Sequence, residues 1–214
     1  MPKAATAHTN PIDWFSLGFE ATPFSNTATS EQLFFKSQAL INTLNRLCTL
    51  DTSDVCITTL IGEKGSGKST CLKTLNKTRS HYQSKILQGS RGLNPQNLIK
   101  AIFGESRKGV HISRQPSTEE CITILKTLTS QSKQIRVLVD QAQELPPSTL
   151  ALIKKITCIQ PNGSQLQFVL CANKVQDLEA LTGDAQLKTQ SVQLHNLTRK
   201  ETEKFVTLKL QGGR

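Results

Sequence analysis

Residues 55–70 of the chain read VCITTLIGEKGSGKST, an apolar and largely β-branched run that passes directly into a glycine-rich loop. The run from Val55 to Ile61 is typical of a strand buried on both faces of a parallel sheet. The loop then meets the pattern G-x-x-x-x-G-K-[ST] at Gly62, Gly67, Lys68 and Ser69. The stretch therefore predicts a strand, a phosphate-binding loop and a following helix in direct succession.

Phosphate oxygens need many hydrogen-bond donors in a small concave space, and glycines let the backbone turn its N–H groups inward. Lys68 is expected to reach the outer phosphates at the start of the helix, and the Ser69 hydroxyl to ligate Mg²⁺. We therefore predict ATP and Mg²⁺ as cofactors; the alternative is an ordinary surface turn. The predicted cofactor-binding residues are Gly62, Glu63, Lys64, Gly65, Ser66, Gly67, Lys68, Ser69 and Thr70.

A second apolar strand, residues 135–139, ends in Asp140. The carboxyl ends of parallel strands meet at one edge of an open α/β sheet, where such sheets bind ligands. We therefore predict that Asp140 and Ser69 form the metal site, with Asp140 holding Mg²⁺ through water. The alternative role for Asp140 is a turn or helix cap, which is common for an Asp after a strand.

The predicted catalytic residues are Gln141, Glu144 and Asn173. Gln141 cannot accept a proton as a carboxylate does, but it can orient a water molecule. Glu144 is a candidate substitute acid or, alternatively, a solvated carboxylate at a helix start. Asn173 directly follows the predicted strand 166–171 and Ala172, and the alternative to a catalytic role is an Asn tolerated in a turn between a strand and a helix. Lys174 and Lys188 are candidates for nearby polar contacts or are surface lysines.

Strand and helix patterns alternate from Val55 to Leu194, which predicts an α/β fold with a parallel sheet covered by helices on both faces. The predicted strands are 55–61, 84–87, 135–139, 166–171 and 191–194. Helices are predicted at 30–50, 69–77, 94–103, 117–128, 175–181 and from Pro147 and Thr198 onward. The predicted domains are an N-terminal arm and helix (1–50), a P-loop ATPase core (51–197) and the start of a truncated helical lid (198–214).

The net charge and the cysteine content indicate which partners and which cellular compartment are expected. The formal net charge of +10 favours phosphate-bearing partners such as nucleic acid or anionic lipid, although no run of five like charges marks a dedicated patch. The alternative is a generally basic surface. The 6 cysteines are scattered without metal-binding spacing and are predicted to be small core residues in a reducing compartment, the alternative being a disulfide framework. With no signal peptide and no apolar stretch long enough to cross a bilayer, the chain is expected to be cytoplasmic.

The chain resembles the secretion ATPase ExeA (general secretion pathway protein A) and its AAA+ relatives. This group includes the transposition regulator TnsC and the ATPase-like domain of DamX-type division proteins. The resemblance is carried by 17–19 (LGF), 22–24 (TPF), 33–35 (LFF), 37–47, 62–70, 137–145 (VLVDQAQEL) and 194–198 (LHNLT). It covers nearly the whole chain, and the N-terminal signature is its most particular part.

The resemblance implies an ATP-dependent homo-oligomer that recruits or remodels a partner. The partner is double-stranded DNA or transposase in TnsC-like members, and a secretion, division or cell-envelope assembly in the others. Asn173 takes the place of the polar residue called sensor 1, which faces the γ-phosphate. Gln141 stands where hydrolysing relatives carry Glu, and no arginine lies between Leu187 and Leu194, where relatives often carry one near the subunit contact. A slow ATPase or a nonhydrolysing scaffold is therefore expected.

Overall fold

The computed structural model describes residues 16, 35–49, 55–78, 82–103, 117–129, 134–160, 166–182 and 187–211. Contacts between Cα atoms divide the chain into two units. The larger unit is Gln38–Asn196, and the smaller one combines Met1–Ser37 with Leu197–Arg214. The predicted aromatic signature of the N-terminal arm, at 17–24 and 33–34, lies outside the described residues.

The larger unit is built on a parallel sheet. Its strands are β1 (Ile57–Ile61), β2 (Gln83–Gln88), β3 (Ile135–Asp140), β4 (Leu166–Ala172) and β5 (Thr189–Gln193). They lie in the order β2-β3-β4-β1-β5, and every described pairing is parallel. Parallel neighbours cannot be joined by tight hairpins, so the connections must cross over the faces of the sheet.

Helices occupy those connections, while one further helix precedes β1 and another follows β5. They are α1 (Gln38–Thr49), α2 (Lys68–Lys77), α3 (Pro95–Phe103), α4 (Thr118–Thr129), α5 (Pro147–Ile159), α6 (Glu179–Thr182) and α7 (Arg199–Gln211). Short 3₁₀ turns occupy Ala142–Glu144 and Val175–Leu178. The predicted α/β fold, a parallel sheet with helices on both faces, is confirmed.

The two faces of the sheet differ in what covers them. Helices α3, α4 and α5 pack with α6 against one face in a continuous apolar core that includes Val137, Phe168 and Leu170. On the other face, α1 and α2 contact each other, α1 contacts β5, and α2 contacts β2 and β3. Side chains alternate along each strand, so buried Leu60 and Val169 point to this second face.

Local signals located most elements to within a few residues. Ser117 and Glu120 form the predicted capping box of α4: the Glu120 amide donates to Ser117 Oγ at 3.1 Å, and the Ser117 amide donates to Glu120 Oε2 at 2.6 Å. The predicted start of the first helix at Ser30 lies outside the described residues, but residues 35–37 are not helical. Phe35 instead packs edge-on against Phe205 within the smaller unit, with the ring centroids 5.9 Å apart.

All 6 cysteines are free thiols. Cys56, Cys71, Cys121 and Cys171 are buried as predicted, whereas Cys158 is exposed and Cys48 is half-buried. Burial raises the pKa of the Cys71 thiol to about 12, so this thiol stays protonated and unreactive near neutral pH. No helix within the described ranges combines the length and the apolar character needed to span a membrane.

Candidate nucleotide-binding site

The glycine-rich loop joins the end of β1 to the start of α2. Gly65 and Gly67 have φ of +90° and +98°, in the left-handed region that side chains with a Cβ rarely adopt. Apart from the chain neighbours, no atom of the described residues lies within 4 Å of a Cβ added at either glycine, so backbone conformation rather than space requires them. At Gly62 the reason is close approach, because a Cβ there would lie 2.5 Å from the carbonyl oxygen of Leu194.

Lys68 is the first residue of α2, and its ammonium group lies against the loop. Nζ donates to the carbonyl oxygens of Gly62 at 2.7 Å and Glu63 at 2.9 Å. It also donates to Oδ1 of Asn173 at 3.2 Å. An ammonium group has three N–H donors, and these contacts use each of them. The structure therefore brings Asn173, which follows β4, next to the lysine of the loop.

Ser69 and Asp140 also meet at this edge of the sheet. Ser69 Oγ donates to Asp140 Oδ2 at 2.5 Å, and the backbone N–H of Gln141 donates to Asp140 Oδ1 at 3.0 Å. The Asp140 carbonyl oxygen accepts the amide of Gly89 at 2.7 Å, at the end of the neighbouring strand β2. The carboxylate is thus held in a fixed position beside the first turn of α2.

Gln141 and Glu144 belong to the turn that follows β3. Gln141 is exposed and has a φ of 53°, the only positive φ among the non-glycine residues described. Glu144 is also exposed, and within the described residues no hydrogen bond joins it to Lys68, Ser69 or Asp140. The predicted catalytic roles of both residues stay predictions.

Lys174 and Lys188 are exposed. The Lys174 amide donates to Asp177 Oδ2 at 2.9 Å, so its backbone opens the 3₁₀ turn at Val175–Leu178. The Lys188 carbonyl accepts the Cys56 amide at 3.2 Å, ahead of β1. The structure gives both lysines a backbone role.

The sequence analysis did not predict the contact between Asn196 and the glycine-rich loop. Nδ2 of Asn196 donates to Glu63 Oε2 at 2.6 Å, and Leu194 donates its amide to the Ile61 carbonyl at 2.7 Å. These bonds tie the loop to the segment that follows β5. Asn196 lies 133 residues from Glu63 in the chain, so no local pattern signals the pair.

The buried thiols of Cys71 and Cys171 lie near the residues of the candidate site. The pKa of Cys171, in β4, is raised well above its usual value by burial, then by the Asp140 carboxylate and Cys71, while Lys68 acts in the opposite direction. The thiol consequently stays protonated at neutral pH. No thiolate therefore adds negative charge beneath a site that would receive phosphate groups.

The loop and its neighbours fit a nucleotide phosphate chain with Mg²⁺. The buried Ser66 Oγ has no hydrogen-bond partner among the residues that the structure describes. The N-terminus of the ten-residue helix α2 supplies backbone N–H groups and a favourable dipole. No cluster of three or more His, Cys, Asp or Glu side chains suited to a metal occurs in the described part of the chain. Mg²⁺ characteristically takes one or two protein ligands and completes its shell with water and phosphate oxygens, which suits Ser69 and Asp140.

Comparison with known proteins gives the same fold. The model of the family described as AAA domain matches residues 53–180. No curated protein sequence matches the chain. Among solved structures, Cdc6p from Pyrobaculum aerophilum is 19% identical with a TM-score of 0.67, over 89% of this chain and 53% of that one.

Two ORC protein structures from Aeropyrum pernix are also similar. ORC2 in its ADP form is 13% identical with a TM-score of 0.60, over 89% of this chain and 56% of that one. ORC1 in complex with DNA is 17% identical with a TM-score of 0.59, over 86% of this chain and 52% of that one. The chain thus spans about half the length of these structures. At such low identity the likeness concerns the fold alone.

Proposed function

The chain belongs to the AAA domain family, and on that premise we propose that it is an ATP- and Mg²⁺-binding switch with slow hydrolysis. In this proposal, bound nucleotide orders the domain for self-association and for recruitment of a partner. The observation that carries the proposal is the convergence of Lys68, Ser69, Asp140 and Asn173 at one edge of the sheet.

Each residue has a role that follows from its contacts. Lys68 would exchange the carbonyl oxygens of Gly62 and Glu63 for phosphate oxygens, which are stronger acceptors because they are charged. Asn173, already within reach of the Lys68 ammonium group at 3.2 Å, would face the terminal phosphate and orient water. Ser69 and Asp140 would hold Mg²⁺, which neutralises charge on the phosphate chain when bound.

Slow turnover is proposed because of Gln141. Its amide can hold a water molecule but cannot remove a proton from it, which general-base catalysis requires. A scaffold without hydrolysis is the second candidate function, and the same residue favours it. Robust phosphate release that depends on Lys68 would eliminate the scaffold.

For the partner we propose double-stranded DNA, with a transposition regulator of the TnsC type as the specific role. The net charge of +10 suits a polyanion, and the similar ORC1 structure is of a complex with DNA. Secretion or cell-envelope assembly is the alternative from the sequence resemblance, and no described residue favours it.

Isothermal titration with Mg-ATP tests the nucleotide site. The wild-type chain should bind ATP, and Lys68→Ala should weaken binding by at least about 100-fold, since charge-assisted hydrogen bonds to several oxygens are lost. Lys77→Ala, at the other end of the same helix, is the matched control and should bind as the wild type does. Equal affinity in the wild type and Lys68→Ala would refute the proposal.

A further inference from the structure

Charged residues are distributed unequally between the two helical layers of the larger unit. Helices α1 and α2 together contain four basic residues, Arg46, Lys68, Lys73 and Lys77, and no acidic residue. On the opposite face, α3 to α6 with their 3₁₀ turns contain four basic and five acidic residues. Because α1 and α2 contact each other, their charges lie on one continuous layer.

The exposed residues of this layer are of the types that contact phosphate groups. Seven of them form what we call the α1–α2 face: Arg46, Lys73 and Lys77 with Gln38, Asn42, Asn45 and Asn76. Arg and Lys side chains and the amides of Asn and Gln are among the groups that contact DNA phosphates. Lys73 and Lys77 are also one helical turn apart, which places two like charges side by side on this face.

We infer that the α1–α2 face binds the phosphate backbone of duplex DNA. This inference rests on the proposed function, in which DNA is the partner, and it names the surface of contact. Such binding is independent of base sequence, and it weakens steeply with salt because each neutralised phosphate releases a condensed counterion.

Other polyanions fit this face less well. The exposed large apolar residues of the described chain are Ile86, Val175 and Val206, and none of them lies on α1 or α2. An amphipathic helix that binds a membrane surface inserts an apolar side at the level of the headgroups. Binding to single strands uses aromatic side chains on which bases stack, and the α1–α2 face has none. The combination of cations and amides on paired helices instead suits the regular backbone of a duplex.

The test compares two triple variants of the full chain that lose the same charge from opposite faces. Arg46→Gln/Lys73→Gln/Lys77→Gln alters the α1–α2 face, and Lys100→Gln/Lys126→Gln/Lys155→Gln alters the other layer. Affinity for a fluorescent 30-base-pair duplex is measured with Mg-ATP between 50 and 200 mM salt, beside a single strand and vesicles containing anionic lipid. Thermal melting establishes that each variant is folded, and the single variant Lys73→Gln is measured as well.

The α1–α2 variant should bind duplex at least about tenfold more weakly, and its slope of log affinity against log salt should fall by roughly 2 to 3. Lys73→Gln should lower that slope by about 1, while the opposite-face variant should stay within about twofold of the wild type. Equal losses in both triple variants, or a loss seen with vesicles or single strands but not with duplex, would overturn the inference. A wild-type chain that binds no duplex would remove DNA as the partner as well, whereas the titration with Lys68→Ala judges nucleotide binding separately.

Discussion

Gln141 connects backbone geometry to chemistry at the scale of a single residue. Its φ of 53° places it in the left-handed region, which is unfavourable for a residue with a Cβ. In this conformation its N–H donates to Asp140 Oδ1 at 3.0 Å, and its own side chain is exposed. The backbone of Gln141 therefore helps to orient the Asp140 carboxylate. The side-chain amide of Gln141 belongs to the residue directly after that carboxylate.

Gln141→Glu should raise the ATP turnover number. A carboxylate at this position can accept a proton from the attacking water, and a positioned general base contributes about 10²- to 10⁴-fold in other enzymes, so we expect an increase of at least about tenfold. Gln141→Asn tolerates the same backbone conformation without adding a charge and should give no increase. Steady-state phosphate release measures all three proteins.

Unchanged turnover in Gln141→Glu would mean that another group activates the water. Glu144 is the residue to examine in that case. It lies on the same turn, and Glu144→Gln would then lower the rate. A lowered rate in Glu144→Gln together with unchanged turnover in Gln141→Glu would reverse the roles predicted for these two residues.

The end of β3 shows how one element positions the site at the scale of secondary structure. The strand delivers Asp140 to the carboxyl edge of the sheet, and β2 passes so close that Gly89 can carry no side chain. A Cβ at Gly89 would lie 2.2 Å from the Gln141 carbonyl oxygen and 2.8 Å from that of Asp140. Both contacts are with backbone, which cannot rotate away as a flexible side chain does. The placement of the Asp140 carboxylate thus depends on the glycine that directly follows the neighbouring strand β2.

Gly89→Ala should lower the free energy of unfolding by about 1 to 3 kcal/mol, the usual range for an overpacked position, and should also weaken Mg-ATP binding by displacing Asp140. Gly92→Ala is the matched control, because its Cβ would meet only Ser90 Oγ at 3.8 Å, an ordinary contact. We expect Gly92→Ala to stay within about 0.5 kcal/mol of the wild type. Urea unfolding and ATP titration check both variants. Wild-type stability and wild-type ATP affinity in Gly89→Ala would contradict this account.

At the scale of the whole molecule, the candidate site links parts of the fold that are far apart in the chain. Lys68 and Ser69 come from α2, Asp140 from β3 and Asn173 from the end of β4. Glu63 of the loop accepts a hydrogen bond from Asn196, which follows β5. A ligand that contacts all of these elements binds only the folded chain, because the unfolded chain does not bring these residues together. Nucleotide binding is therefore expected to stabilise the larger unit as a whole.

Mg-ATP at about 100 times its dissociation constant should raise the free energy of unfolding by about 2.7 kcal/mol. For a chain of this length that corresponds to a rise in melting temperature of roughly 5 to 10 °C. Thermal melting followed by circular dichroism measures the shift, and Lys68→Ala should show almost none. An equal shift in this variant would mean that ATP binds elsewhere on the molecule.

Arg136 shows where sequence patterns fail inside a correctly predicted strand. Its charged side chain is only 1% exposed in β3, which has a strand on either side. Nε donates to Gln167 Oε1 at 2.7 Å, and the guanidinium lies 4.7 Å from the centre of the Tyr82 ring. Burial lowers the pKa of Arg136. The sequence IRVLV by itself indicates an apolar strand. It does not reveal Gln167 on β4, whose hydrogen bond makes the burial of the Arg136 side chain tolerable.

Neighbouring residues along the chain were sufficient to predict the glycine-rich loop, the helix after it, the capping box at Ser117 and the alternation of strands and helices. These features depend on backbone conformation and on patterns of burial within short segments. Packing in three dimensions was needed for the strand order, for the contacts of Lys68 with Asn173 and of Ser69 with Asp140, and for the charge of the α1–α2 face. The two site contacts join residues 105 and 71 positions apart. Such distant groups meet only when burial of the whole apolar core selects one order of strands, because no local preference acts across that distance.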